Sequence, residues 1–550
     1  MSPRTSLPCA LVLTALLGIP TLVRAQAVLG IGDDATTLPG GGFRLSVSNA
    51  WSRYDARYDA AGNPRPLAPD LTAPDAGVAQ FENLAPLQQH VRALSGLSSF
   101  DVSIGQTALD ENALVRTTPI RAELGVTHWL QLGVMVPVVR TQTNVAFRVN
   151  SAGPAGNVGV NPGLAPGAAA DANAALQQQF TSAAAALGAK IDACTANPSG
   201  TDCANVLANG PSLLASAQGF ASGLAQVYDS SFFVPLAGTD ADNAIRARVA
   251  TFSSTFAGFG ITDITSTGPS ASQAPAGVGD VQRFVTDPAF GIAADSIQTV
   301  SRLGLGDIEL SAKVQWLNTV GQADRFHVRR GVNVRSAVTG VVRLGTGSPS
   351  SPSNFLDIGT GDGQTDVEVR SQNDIVLGRR FWASVVGSYG IQLADQRIMR
   401  IADPEQPIAG AYRTFNVQRD LGDYYSIAFT PRLVIDDYFS LGAQYLYWHK
   451  AQDRYSGTFT TTNFVGDTVT LDASILDRET AQHEQRISVG LLYSTLAAYA
   501  AGKTWLPLEV SFEHTNAIAG SGGRTPKISD TTLRIRLYAR LFGGPMWGRP

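Results

Sequence analysis

The residues with the most chemistry to offer in this 550-residue chain are arginines, lysines and carboxylates placed two apart. In "TTLRIRLYARLF", Thr531 to Phe542, Arg534, Arg536 and Arg540 are set among Leu533, Ile535, Leu537, Ala539 and Leu541. In "DIELSAKVQW", Glu309 and Lys313 alternate with Ile308, Leu310, Ala312, Val314 and Trp316. Successive side chains of a strand point to opposite faces, so a period of two makes each segment apolar on one side and wet on the other. Arg44, Asp366, Glu368, Glu509 and Glu513 belong to the same wet set. If such strands close into a barrel, these ten residues line its lumen, and two arrangements are open. A basic wall carrying Arg44, Arg534, Arg536 and Arg540 could face an acidic one, a field that tunes the passage of polar solutes. Alternatively, opposite charges could pair across strands as ladders that brace the wall.

Catalytic and metal chemistry find less support. Barrel hydrolases that share a strand face between base and nucleophile need a His and a Ser two residues apart. Here His90, His128, His327, His449, His483 and His514 are followed two residues later by Arg, Leu, Arg, Ala, Gln and Asn. An Asp–His dyad stays open, although no histidine sits beside an acidic cluster, and the expectation is a protein without enzymatic activity. "LDIGTGDGQTD" places Asp357, Asp362 and Asp366 among glycines as oxygen ligands for calcium. Its spacing is not that of an EF-hand loop, and Gly-Asp-Gly is a common turn. "GIGDD" near residue 30 is equally weak. No metal and no cofactor are expected. Cys194 and Cys203, in "CTANPSGTDC", enclose turn residues and are expected to form a local disulfide.

The elements that must position these residues are strands. The half-wet pattern recurs at 43–51, 119–127, 130–139, 307–316, 332–344, 366–377, 382–393, 425–435, 439–448, 486–494, 508–514 and 531–542, about twelve times. Short links at His128-Trp129, Arg379-Arg380, Asp436-Asp437 and 497–505, with a somewhat longer one at 318–330, alternate with long segments at 57–115, 150–302, 346–363, 396–422, 453–482 and 517–528. Short turns on one side and long loops on the other are the plan of a transmembrane antiparallel up-and-down β-barrel. Hydrocarbon offers no hydrogen-bond partner, so the sheet must close and the last strand must pair with the first. Trp129, Trp382, Tyr438, Phe439, Tyr447, Trp448 and Trp505 fall near strand ends, as interfacial girdles would.

The fold class expected is therefore all-β, with an α-helical Ala-rich insertion at 150–302 inside a barrel unit of 28–542. Within the insertion, 171–194 and 212–232 read as two helices joined at the cysteines. An amphipathic helix is expected in 78–96, with Phe81, Leu84, Leu87, Val91 and Leu94 on one side. These two loops would cap the barrel mouth or fold partly into it. Arg4 followed by an apolar run to Val23 and by Ala25-Gln26-Ala27 reads as a signal peptide over 1–27, and 543–550 as a short tail. Charged residues make up 16%, against about 25% in soluble domains, and a net charge of −4 with scattered basic residues argues against a nucleic-acid partner. The expected destination is the bacterial outer membrane, with its lipid and a small-molecule solute as partners and the barrel-assembly machinery acting during insertion.

"AELGVTHWLQLGVMVPVV" (122–139), "GLGDIELSAKVQW" (304–316) and "VTGVVRLGTGSPS" (338–350) resemble recurring segments of the outer-membrane family named after the meta-cleavage pathway of phenol degradation. The resemblance covers most of 115–542 apart from the long insertion, and it implies a transporter. That family is related in architecture to barrels that import fatty acids and aromatic hydrocarbons. In those importers an N-terminal hatch fills the lumen, whereas here only about fifteen residues separate Ala27 from the first strand. The function implied is a passive channel or importer for small hydrophobic or aromatic molecules. The alternative is a structural or surface-interaction barrel with a closed lumen.

Overall fold

The computed structural model describes residues 31–152, 155–320, 331–378, 380–404, 406 and 408–542. The signal peptide expected over 1–27 and the tail at 543–550 lie outside the described residues.

Twelve antiparallel strands close into a barrel. In chain order they are β1 (Gly42–Tyr54), β2 (Gly105–Gly125), β3 (Leu130–Val149), β4 in two pieces (Val300–Leu305 and Ile308–Asn318), β5 (Val332–Leu344), β6 (Asp366–Leu377), β7 (Phe381–Gln392), β8 (Tyr424–Val434), β9 (Phe439–Lys450), β10 (Gln482–Ser494), β11 (Leu508–Ser521) and β12 (Ser529–Arg540). Closure is made by β12 against β1, with Arg44 opposite Tyr538 and Val47 opposite Ile535. No edge is left for hydrocarbon to strand. Parity along each strand then sorts the side chains: Ile535 is 44% exposed on the outer face while Arg536, one residue on, is 9% exposed inside.

Two of the aromatics read as girdle residues face the other way. Trp382 is 2% exposed and its ring lies under the Arg335 guanidinium, 4.9 Å from the centroid. Trp448 shares the inward parity of β9 and lies beside Tyr424, whose hydroxyl bonds Glu368. Position near a strand end was not enough to decide the face. Parity was, and both residues are even-numbered on strands whose outward positions are odd. Trp129 and Trp505 do stand exposed.

Strands β2 and β3 are twice the length that a bilayer needs, which is about 9–11 residues. Their outer halves rise beyond the apolar belt, and Leu109, Val145, Phe147 and Val149 pack there against a helical module. The module contains α1 (Ala85–Ser95), α2 (Ala168–Ala196), α3 (Cys203–Tyr228), α4 (Asp240–Gly258) and α5 (Val278–Thr286). Phe180, Phe220 and Phe252, one each from α2, α3 and α4, meet with centroids 5.0–5.5 Å apart. The disulfide Cys194–Cys203 joins α2 to α3 at the tip of their hairpin. Closing so short a loop is worth about 2–3 kcal/mol in chain entropy. The module is fastened to neighbouring loops by Arg413 on Glu82 at 2.7 Å and by Arg400 on the carbonyls of Ile292 and Ala409.

Candidate functional site: the barrel lumen

The lumen is built by the inward positions of the strands, and most of its charges are neutralised by a partner directly across the ladder. Arg44 makes a two-pronged contact with Glu123, its register partner on β2, at 2.6 and 2.8 Å. Arg536 lies opposite Glu509 at 3.4 Å, and Tyr538 donates its hydroxyl to the same carboxylate. Arg343 joins three acids, reaching Glu309 at 3.0 Å, Asp366 at 2.8 Å and Glu368 at 3.4 Å. Arg121 reaches Glu309 at 3.2 Å, and Arg370 pairs with Glu368. Ladders, rather than a basic wall facing an acidic one, are what these contacts form.

A segment that period-two reading could not see crosses this space. Residues 31–38 enter the barrel near its short-turn end, where Ile31 (3% exposed) covers Gly442 and Gly490, an in-register pair without side chains. Arg432 donates to the carbonyls of Ile31 (2.6 Å) and Asp33 (3.2 Å). Lys313 holds Asp33 at 3.2 Å and also bonds the Asp34 carbonyl; Gln372 donates to Asp33 at 2.9 Å. Farther on, Asp374 accepts from the Ala35 amide and Gln131 from the Leu38 amide. Residues 31–38, ahead of β1, thus fill part of the lumen, and "GIGDD" contributes Ile31 to Asp34 to that filling.

Above this segment is a cavity of about 320 Å³ whose lining includes Asp33, Arg44, Arg121, Glu123, Arg370, Glu513, Arg534 and Arg536. Of the ten residues singled out in the sequence, Arg44, Glu513, Arg534 and Arg536 meet here. Glu309, Lys313, Glu368 and Glu509 stand behind the lining through the pairs just given, and Asp366 is held off by Arg343. Arg540 lies elsewhere, at the rim, donating to the carbonyls of Phe542 and Gly40. Sequence reading passed over Arg121, Glu123, Arg343 and Arg370, although the same parity marks all four. A second cavity, about 520 Å³, is lined by Val115, Val139, Ile358, Met399 and three arginines.

The chemistry weighed for other residues is taken up by structure. Asp357 pairs with Arg302 at 3.0 Å, and Asp362 accepts from the Gln364 amide. Among the described residues no group of three or more His, Cys, Asp or Glu is arranged to hold a metal ion. His514 bonds Thr531 and Asn516 rather than a serine or a carboxylate.

No family model and no curated protein matches the chain. Among solved structures it is similar to an outer membrane channel from Pseudomonas putida F1, at 10% identity, with 92% of this chain and 99% of that one covered and a TM-score of 0.40. Further likenesses are to the P. putida toluene transporter TodX (9% identity, 92% and 90% covered, TM-score 0.24) and to a Pseudomonas aeruginosa FadL homologue (8%, 91% and 90%, 0.23).

Proposed function

We propose that the protein is a bacterial outer-membrane channel or importer through which small hydrophobic or aromatic molecules diffuse passively. The observation that carries this reading is a closed barrel with an apolar outer belt around a polar lumen that is only partly filled. Ile427, Phe429, Val489 and Phe512 are among the exposed residues of that belt, and a sealed structural barrel would have no need of cavities of 320 and 520 Å³ on its inside. The hydrophobic or aromatic solute in this reading comes from the relation of the resembled family to barrels that import fatty acids and aromatic hydrocarbons, not from the segments themselves. Outer-membrane lipid surrounds the belt in this reading, and the barrel-assembly machinery delivers it there. Uptake of small aromatics into proteoliposomes should exceed that of an unrelated sealed barrel of equal size. Equal uptake would retire the channel.

The bonds that anchor residues 31–38 favour a second reading, a barrel closed to solutes whose helical module binds a partner at the cell surface. Proteolytic shaving of intact cells separates the two. Removing the module would abolish adhesion and leave uptake unchanged if the second reading holds.

A further inference from the structure

The two cavities are consecutive along one wall. On β2 the inward residues Val115 and Thr117 line the larger cavity, and Pro119, Arg121 and Glu123 line the smaller. On β3, Val139 and Thr141 belong to the larger and Met135 to the smaller, with Pro119 and Pro137 opposite each other at the division. Both volumes fall within the range of small-molecule sites, about 300–1,000 Å³.

Their linings share an excess of cation. The smaller cavity sets five arginines against Asp33, Glu123 and Glu513. The larger sets Arg397, Arg419 and Arg524 against Asp362, beside the apolar surface of Val115, Val139, Ile358 and Met399. Arg419 is committed to Asp395 at 2.7 Å, and Arg397 donates to the Ser350 carbonyl. Two arginines are left over: among the described residues, Arg524 in the larger cavity and Arg534 in the smaller make no hydrogen bond and no ion pair. Arg534 has only the longer-range attraction of Glu513 in the same lining; a half-shielded guanidinium whose hydrogen-bond donors are unmet keeps its planar fork for a carboxylate.

We propose that the lumen accepts small amphipathic carboxylates, with Arg524 at an outer station and Arg534 at an inner one as the cations that meet the carboxylate, and the aliphatic lining of the larger cavity meeting its apolar body. This rests on the channel reading and narrows its solute class. Two weak stations in series hold a permeant without trapping it.

The test uses the full chain in detergent and in proteoliposomes, with benzoate compared with its neutral and cationic counterparts, benzyl alcohol and benzylamine. Benzoate is expected to bind by calorimetry and to enter faster than either. Arg524→Gln and Arg534→Gln should each weaken benzoate binding about tenfold, the loss of one charge-assisted hydrogen bond, and lower benzoate uptake relative to benzyl alcohol uptake in the same vesicles. Arg524 lies in the connection between β11 and β12, outside the barrel strands, so its variant reports even if Arg534→Gln assembles poorly. Equal entry of benzoate and benzyl alcohol, with both variants like the parent, overturns the carboxylate stations and leaves the channel standing. Benzoate binding, with none of the three solutes entering faster than through an unrelated sealed barrel, supports the stations and retires the channel. Neither binding nor uptake overturns both.

Discussion

Arg534 and Arg536 are two residues apart on one strand and point the same way, yet their surroundings make them different residues. Arg536 faces the 1%-exposed Glu509, which Tyr538 also bonds. Arg536→Gln leaves that carboxylate buried without its cation, a change that costs about 3–5 kcal/mol. Unfolding in urea should show the loss, and Glu509→Gln in the same chain should restore most of it. Arg534→Gln breaks no hydrogen bond and takes from Glu513 only a longer-range attraction, so it should cost clearly less than Arg536→Gln in the same unfolding. From sequence alone the three arginines of this strand were interchangeable, because parity gives the face but not the neighbour across the ladder. On the opposite face, Ile535→Arg would bring a charge against lipid at a cost of about 2–4 kcal/mol near the midplane. Assembly, followed by heat-modifiable migration, should suffer. Normal assembly would mean that the wall has been read inside out.

At the scale of elements, legibility followed the solvent. Lipid demands an apolar residue at every second position, and all twelve strands carried that mark where they cross the belt. The outer half of β2, "GQTALDENALVR", stands in water and against helices, so its alternation was lost in a presumed loop. Helix α4 was also passed over, although Ile245, Val249, Phe252 and Phe256 follow helical spacing and are buried. The α2–α3 hairpin was readable because Ala-rich propensity and the cysteines coincide. How the module attaches to the other loops could be learned only from the fold: Tyr412 donates to Glu82, which also holds Arg413. Burial, and after it this hydrogen bond, pushes the Tyr412 phenol up to about 12 from its ordinary 10.0. A raised pKa means that the folded state prefers the neutral phenol, so the stabilisation is complete below pH 10 and is lost as the pH rises toward 12. Ultraviolet titration should therefore show a late tyrosinate that disappears in Tyr412→Phe and moves to lower pH in Glu82→Gln. Cleavage within the module should quicken over the same window, and an unchanged titration in Glu82→Gln would disprove the coupling.

At the scale of the molecule, the property that matters most is how much of the lumen stays open, and it depends on the segment with the weakest sequence signal. Residues 31–38 have no period, and their partners lie far along the chain, from Gln131, 93 positions from Leu38, to Arg432, 401 positions from Ile31. What the sequence did carry was a glycine. Gly32 has φ +72°, which a side chain rarely adopts. A Cβ there would come 2.4 Å from Nε2 of Gln444 and 3.0 Å from Oγ1 of Thr430. Gly32→Val should therefore unseat Ile31 from the space above Gly442 and Gly490 and loosen the Arg432 and Lys313 contacts behind it. The barrel itself has no stake in this position, since Gly32 belongs to none of its strands, and heat-modifiable migration should stay normal. Single-channel conductance in a planar bilayer should rise by at least about twofold, because the space held by Ile31 and its neighbours opens. A normally assembled Gly32→Val protein with the parent's conductance would place the narrowest point elsewhere, at the ring of Arg44, Arg121, Arg370, Arg534 and Arg536. Widening at that ring by Arg370→Ala should then raise the current where Gly32→Val does not.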